Sequence, residues 1–268
     1  MSSFTDQLGR TITLDHLPRR IISLVPSQTE LLHTLGAPVV GITKFCVHPT
    51  TWFQEKTRIG GTKDIHPKKI ADLHPDLIIA NKEENDRDQV EALAARYPVW
   101  TSDIHNLGDA IAMIRSVGEL IGQTAKAQTL ATDIEKAFSE LTATPPSSPT
   151  PSPSPSVTPS PIRTAYFIWR NPWMTVGGDT FIHDMLHRCG LTNLFATESR
   201  YPTVDPATLS NCNLVLLSSE PYPFRARHVK EIQTLLPNVI VRLVDGEPFS
   251  WYGSRLLQAP AYFRQFLK

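Results

Sequence analysis

The sequence predicts an α/β fold of two lobes, each a parallel sheet covered by helices, with a helical connection between them. Three observations carry this. Short apolar runs alternate with helix-period segments, the rhythm of βαβ units. A Pro/Ser-rich stretch divides that rhythm into two halves. Before the divide stand two consecutive helix patterns, the second long enough to bridge two lobes.

In the first half, RIISLVP (20–26) reads as a buried strand. SQTELLHTLG (27–36) is a helix capped by Ser27, with Glu30 completing a capping box and Gly36 ending it. VVGIT (39–43) is a strand, KKIADLH (68–74) a short helix and DLIIA (76–80) a strand. RDQVEALAAR (87–96) is a helix and PVW (98–100) a strand. The connection opens with a helix from Leu107 to Ile121, apolar at 107, 111, 114, 117 and 121, and interrupted by Gly122. A second helix starts at the N-cap Thr124 and runs to Leu141, with Leu130, Ile134, Phe138 and Leu141 on one face. At 1.5 Å per residue it is a stiff strut of about 26 Å.

PPSSPTPSPSPSVTPSP (145–161) holds eight Pro, six Ser and two Thr among 17 residues. Such a segment has almost no apolar surface to bury, and proline removes backbone donors, so a disordered, solvated insertion is expected. Beyond it, TAYFIW (164–169) is a strand and DTFIHDMLHRCG (179–190) a helix ended by Gly190. NLVLLS (213–218), RHVKEIQTLL (227–236) and VIVRLV (239–244) follow as strand, helix and strand. SRLLQAPAYFRQFL (254–267) closes the chain as a helix bent at Pro260. The expected domains are a first lobe over 1–105, connecting helices over 106–142, the insertion over 143–162 and a second lobe over 163–268.

Composition narrows the partners. The 268 residues carry 26 basic and 26 acidic side chains, a formal net charge of zero, with no block of like charge. That offers no electrostatic basis for nucleic acid or an anionic membrane. No stretch approaches the 18 or so apolar residues of a membrane span. Cys46, Cys189 and Cys212 are odd in number and lack CxxC spacing, which argues against a fully paired disulfide framework. Cys189 and Cys212 adjoin apolar runs and read as buried thiols. The start, MSSFTDQLGR, lacks the basic and apolar regions of a signal peptide. A cytosolic monomer is therefore expected, or a periplasmic one if a leader has been removed.

Ligands of open parallel sheets bind beyond the carboxyl ends of the strands. The segments that follow the strands here are KFCVHP (44–49), NKEEN (81–85), RNPWMTVGG (170–178), SEPYPF (219–224) and GEPFSWYGSR (246–255). They are rich in aromatic and charged side chains, which suits a planar or bulky organic ligand. Five such loops, from both halves, predict a two-sided cleft.

Together, IISLVPSQTELLHTLG, KFCVHP, HPDLIIANKEEN, IWRNPWMTVGGDTFIHDML and DGEPFSWYGSR resemble the class III substrate-binding proteins, the helical-backbone metal receptors. These are the binding components of ABC importers for vitamin B12, siderophores and haem. The segment DQLGRTITLDHLPRRIISL (6–24) is similar to the short hairpin that opens such domains. The resemblance covers nearly the whole chain outside the insertion and is closest to a cobalamin-binding-like branch that includes leaderless members. It implies two Rossmann-like α/β lobes, a long backbone helix and a ligand cleft between the lobes, with no cofactor and no turnover. Its preferred cargo is a corrinoid such as cobalamin, with an iron siderophore or haem as the alternative.

Candidate ligand contacts on these loops are Lys44, Phe45, Cys46, His48, Glu83, Glu84, Asn85, Arg170, Trp173, Glu220, Tyr222, Phe224, Glu247, Trp251, Tyr252 and Arg255. Lys63 joins them from GGTK (60–63), where B12-binding relatives carry an aromatic residue on the cleft wall. Several readings of Cys46 and His48 stand side by side. They pack the loop, touch the ligand, or ligate a corrinoid cobalt or haem iron from one axial side. As a nucleophile and base they would serve a small-molecule enzyme, though no third orienting group is identifiable. Glu83, Glu84 and Asn85 also suit the first turn of a helix. Asp245 and Glu247 are candidates for a cation or for pairing with Arg255. Importer-type relatives dock on their permease through one acidic residue per lobe. Those positions fall near Lys68 and Ala207, so permease docking does not carry over.

Overall fold

The computed structural model describes residues 1–143, 161–209 and 211–266. Of the insertion expected over 143–162, Ala143 ends a helix, Ile162 opens a strand and Pro161 is also described; residues 144–160 lie outside the described residues. The chain divides into two compact units. One comprises Met1–Ile104, Gly108–Glu135 and Tyr252–Leu257; the other comprises His105–Leu107, Lys136–Trp251 and Gln258–Lys268. Membership therefore differs from the expected boundaries. The long helix is shared between the units, and a six-residue piece near the C-terminus belongs to the first.

The first unit opens with a hairpin, β1 (Ser2–Thr5) antiparallel to β2 (Thr11–Leu14). Its main sheet holds five parallel strands: β3 (Ile21–Ser23), β4 (Val39–Ile42), β5 (Thr57–Arg58), β6 (Leu77–Asn81) and β7 (Val99–Ser102). Their order is β5-β4-β3-β6-β7, so the chain reverses direction across the sheet between β3 and β6. Every residue of β3 and β6 is buried, as central parallel strands covered on both faces require. Helix α1 (Pro26–Leu35) begins one residue earlier than predicted. Pro26 fixes its own φ and has no N–H to satisfy, so it takes the first helical position and Val25 becomes the cap. Ser27 is thus inside the helix, and Glu30 makes no capping box.

Periodicity did not reveal α2 (Thr50–Glu55), which buries none of its residues, nor the two-residue β5. Helices α3 (Pro67–Asp72) and α4 (Arg87–Ala94) follow, the latter capped by Asp86 through a 3.0 Å bond from Gln89 N. Helices α5 (Leu107–Leu120) and α6 (Thr124–Ala143) are separated by Gly122 at φ +71°. They approach so closely that a Cβ on Gly118 would lie 2.1 Å from the Ala127 methyl.

The second unit has a four-stranded parallel sheet of β8 (Ile162–Phe167), β9 (Leu191–Asn193), β10 (Leu214–Ser218) and β11 (Ile240–Val244), in the order β11-β10-β8-β9. Here the reversal lies between β8 and β10. One face packs Ala165, Phe167, Val215 and Leu217 against Phe224 and, from helix α8 (Ala226–Leu235), Ile232. Helix α7 (Phe181–Arg188) is capped by Thr180. A short α9 (Glu247–Ser250) was not foreseen. The predicted bent C-terminal helix is two pieces: a 3-10 turn over Ser254–Leu257 and α10 (Ala259–Phe266). Pro260 stands in the first turn of α10, where its missing N–H costs nothing, instead of bending a longer helix.

Candidate ligand-binding loops

Parallel pairing puts the loops after β4 and β6 at one end of the first sheet, and those after β8, β10 and β11 at one end of the second. The reversal point is where open α/β sheets hold ligands. In the first unit that point is framed by the start of α1, the 82–86 loop and the Tyr252–Leu257 segment.

Two asparagines shape this end. Asn81 Oδ1 accepts from Glu83 N at 2.8 Å and Glu84 N at 3.0 Å, which turns the loop after β6. Asn85 is buried; its Oδ1 accepts from Asn81 N at 2.8 Å, and its Nδ2 donates to Leu24 O and Thr62 O. It ties three loops together and presents no ligand-facing amide, which corrects its reading as a contact. Glu84 and Tyr252, far apart in sequence, meet at 2.7 Å. Arg255 makes a two-pronged pair with Glu30, at 2.9 and 2.7 Å. Glu30 is therefore the partner of Arg255, a position the sequence reading offered to Asp245 or Glu247.

Cys46 is wholly enclosed. Its sulfur lies 3.1 Å from both Thr29 Oγ1 and Thr43 Oγ1. Burial pushes its thiol above the usual range, with those two hydroxyls opposing the shift. The sulfur has no surface for a ligand or metal, and its protonated form is a poor nucleophile. Both the metal and the catalytic readings of the Cys46/His48 pair fail at this residue. His48 is half-buried, while Lys44, Phe45 and Lys63 are exposed, with Lys44 Nζ 5.1 Å from the Phe45 ring centre.

In the second unit the aromatic loops interlock. Trp173 stacks on Phe224 at 5.7 Å, and Trp169 meets Tyr222 edge-on at 5.7 Å. Phe224 is buried and serves as the floor, which moves it out of the contact set. Trp169 keeps 41% of its surface exposed. Arg170 is paired through both prongs with Glu231 on α8, at 3.0 and 2.7 Å. Glu220 accepts Trp251 Nε1 at 2.9 Å and the Ser250 hydroxyl on the same carboxylate oxygen. Its carboxyl is pushed up, first by burial and then by Glu247 and Asp245, against those two bonds. Trp251 is itself buried by this arrangement, as is Tyr252 in the first unit. Glu247 is half-buried at the start of α9.

The run RARH (225–228), which the sequence reading did not single out, opens α8 directly after the aromatic loop, with His228 buried and both arginines exposed. No group of three or more metal-ligating side chains occurs among the described residues, and none of their helices is long and apolar enough to cross a membrane.

Residues 21–214 match the profile of the periplasmic binding protein family. A vitamin B12-binding protein of Pectobacterium atrosepticum is 24% identical over 183 residues, covering 67% of this chain and 63% of that protein. An ABC transporter substrate-binding lipoprotein of Bacillus subtilis, YvrC, is 26% identical over 201 residues, covering 72% and 61%. The chain thus spans less than two thirds of the length of these relatives. The crystal structure of the periplasmic vitamin B12 binding protein BtuF of Vibrio cholerae superposes with a TM-score of 0.73 at 20% identity, over 93% of this chain and 96% of that one. At that identity the likeness establishes the fold.

Proposed function

Because the chain belongs to the periplasmic binding protein family, we propose that it is a receptor that binds a bulky metal chelate without chemical turnover, a corrinoid being the preferred cargo. The observation that carries this reading is the aromatic surface at the reversal point of the second sheet, where Trp169 is exposed against Tyr222. An aromatic edge of this kind stacks on a flat, unsaturated macrocycle. Phe45 in the first unit offers a second exposed ring beside Lys44. The enclosure of Cys46 speaks against the rival enzyme that would use the Cys46/His48 loop, since that nucleophile is shut away and protonated. His48 remains the proposed axial donor to a cargo metal.

Binding in this reading needs little rearrangement of the loops. Asn81 and Asn85 hold the 82–86 turn, and the Glu220 carboxylate fixes Trp251, so both frames are built before the ligand arrives. Haem or a ferric siderophore is the second reading, favoured by the exposed Arg225 and Arg227 at the start of α8, which would suit an anionic cargo. Delivery to a permease is not part of the proposal, because the expected docking position of the first unit falls on Lys68 and Lys69, both exposed on α3.

Titration with cyanocobalamin, haemin and a ferric siderophore, followed by absorption, tests the reading. A saturable spectral shift with at least one is expected. Trp169→Ala should weaken that ligand by roughly tenfold, about 1.4 kcal/mol. No shift with any of the three refutes the proposal.

A further inference from the structure

The outer edge of the first sheet carries an uneven share of the charge. Residues 44–69 hold six Lys or Arg and only two acidic side chains, Glu55 and Asp64, which leaves 20 basic and 24 acidic residues elsewhere in a chain of zero net charge. Lys44 and Lys63 belong to the candidate ligand loops. The other four cations, Lys56, Arg58, Lys68 and Lys69, stand along α2, the outermost strand β5 and α3. Arg58, Lys68 and Lys69 are exposed and Lys56 is half-buried. None of the four makes an ion pair among the described residues.

Contacts tie this edge into one surface. Lys69 Nζ donates to Arg58 O at 3.4 Å, which joins α3 to β5. Arg58 Nη1 donates to Phe53 O and to Lys56 O, and its guanidinium lies 4.9 Å from the Phe53 ring centre. Lys56 Nζ lies 5.3 Å from the Trp52 ring centre, and Trp52 meets His33 of α1 edge-on at 4.9 Å. Helix α2 carries Trp52 and Phe53 and yet buries none of its residues. Its rings do little for the core; they position two of the four cations. A guanidinium held this way loses little freedom when a carboxylate meets it. The Nε and Nη2 groups of Arg58 and the ammonium groups of Lys56 and Lys68 have no hydrogen-bond partner among the described residues. Edge strands often carry lysine to deter pairing with another strand. Lys69 serves that purpose for the two-residue β5, and the other three cations are not needed for it.

We propose that the α2–β5–α3 edge docks a partner protein through a short acidic segment, with Lys56, Arg58, Lys68 and Lys69 receiving its Asp or Glu carboxylates. The rest of the chain limits the length of that segment. A long polyanion, or the plane of an anionic membrane, extends over surface whose charge is negative in sum, whereas a short acidic run meets the edge alone. A partner surface rich in arginine is repelled here. The inference uses no part of the receptor reading, so either can fail without the other.

The test is calorimetric titration at low ionic strength with an oligo-glutamate peptide of about ten residues. Oligo-lysine of equal length, anionic phospholipid vesicles and a single-stranded oligonucleotide serve as comparison probes. Wild type should bind oligo-glutamate, not oligo-lysine, and added salt should weaken the complex. Lys68→Gln/Lys69→Gln alters two exposed side chains and should lose about threefold or more in affinity; adding Lys56→Gln and Arg58→Gln should bring the loss to about tenfold or more. Lys136→Gln/Lys230→Gln removes the same charge as the first variant from exposed positions off this edge and should stay within about twofold of wild type. Absence of oligo-glutamate binding by wild type, or an equal loss in the Lys136/Lys230 variant, overturns the proposal. Tighter binding of the vesicles or the oligonucleotide than of oligo-glutamate overturns it as well, and assigns the edge to a lipid surface or a nucleic acid.

Discussion

Burial sets the proton chemistry of two side chains beside the proposed ligand loops, the Cys46 thiol and the Glu220 carboxyl. All three cysteines are buried, and each thiol is pushed up by burial first. A disulfide reagent at pH 8 should therefore find no fast-reacting thiol in the folded protein and three after denaturation. One thiol reacting at the rate of a free cysteine would show that the Cys46 loop opens readily. Glu220 gives a pH prediction. Its folded-state value lies above the ordinary 4.5, so between 4.5 and that raised value the unfolded chain releases a proton that the folded chain retains. Stability associated with this group is present below 4.5 and is lost as pH rises through the window. Glu220→Gln keeps the acceptor for Trp251 and removes the charge. It should melt higher than wild type at pH 7, and the gain should vanish below about 4.5. A lower melting midpoint at pH 7 would mean that the charged form is the one the site stabilises.

At the scale of elements, short pieces distant in sequence set the geometry of the first unit's proposed ligand end. The Tyr252–Leu257 segment is clasped to α1 by the Arg255–Glu30 pair, whose side chains keep 20% and 22% of their surface. Arg255→Met retains the packed stem and removes the charged hydrogen bonds, at a cost of about 1.5–3 kcal/mol by urea denaturation. A change under about 0.5 kcal/mol would place this pair with ordinary surface ion pairs. The α5/α6 crossing gives a second case. Gly118→Ala would push a methyl into Ala127 and should cost about 1–3 kcal/mol through overpacking. Neither pairing is signalled locally: Glu30 has the spacing of a capping box, and Gly118 sits in an ordinary helical pattern.

For the whole molecule, a ligand that binds only the folded chain must raise its stability by mass action. At a hundred times its Kd, the cargo identified by titration should add about 2.7 kcal/mol and shift the melting midpoint accordingly. A ligand that shifts the absorption spectrum but not the midpoint would be binding nonspecifically. The 146–160 segment is expected from its composition to contribute nothing to either unit's core. Deleting it should leave the midpoint and the affinity within error.

The sequence by itself determined the α/β class, the order of the longer elements and the strand ends whose loops are rich in aromatic and charged side chains. Apolar runs such as LIIA and LVLL, short and bounded by turn residues, suit the buried strands of a parallel sheet, and helix-period segments stand between them. It also marked Trp173, Tyr222 and Arg170 as neighbours in kind. Tertiary structure alone decided which of those residues keep a surface. Cys46, Asn85, Phe224, Trp251 and Tyr252 looked as available as Phe45 and Trp169, and each is enclosed by side chains from elsewhere in the chain. Exposure depends on what packs opposite, and that partner is not encoded at the residue's own position. For the same reason Arg255 met Glu30, and Tyr252 met Glu84. Charge identity is local, but pairing is settled by where distant backbone segments come to rest.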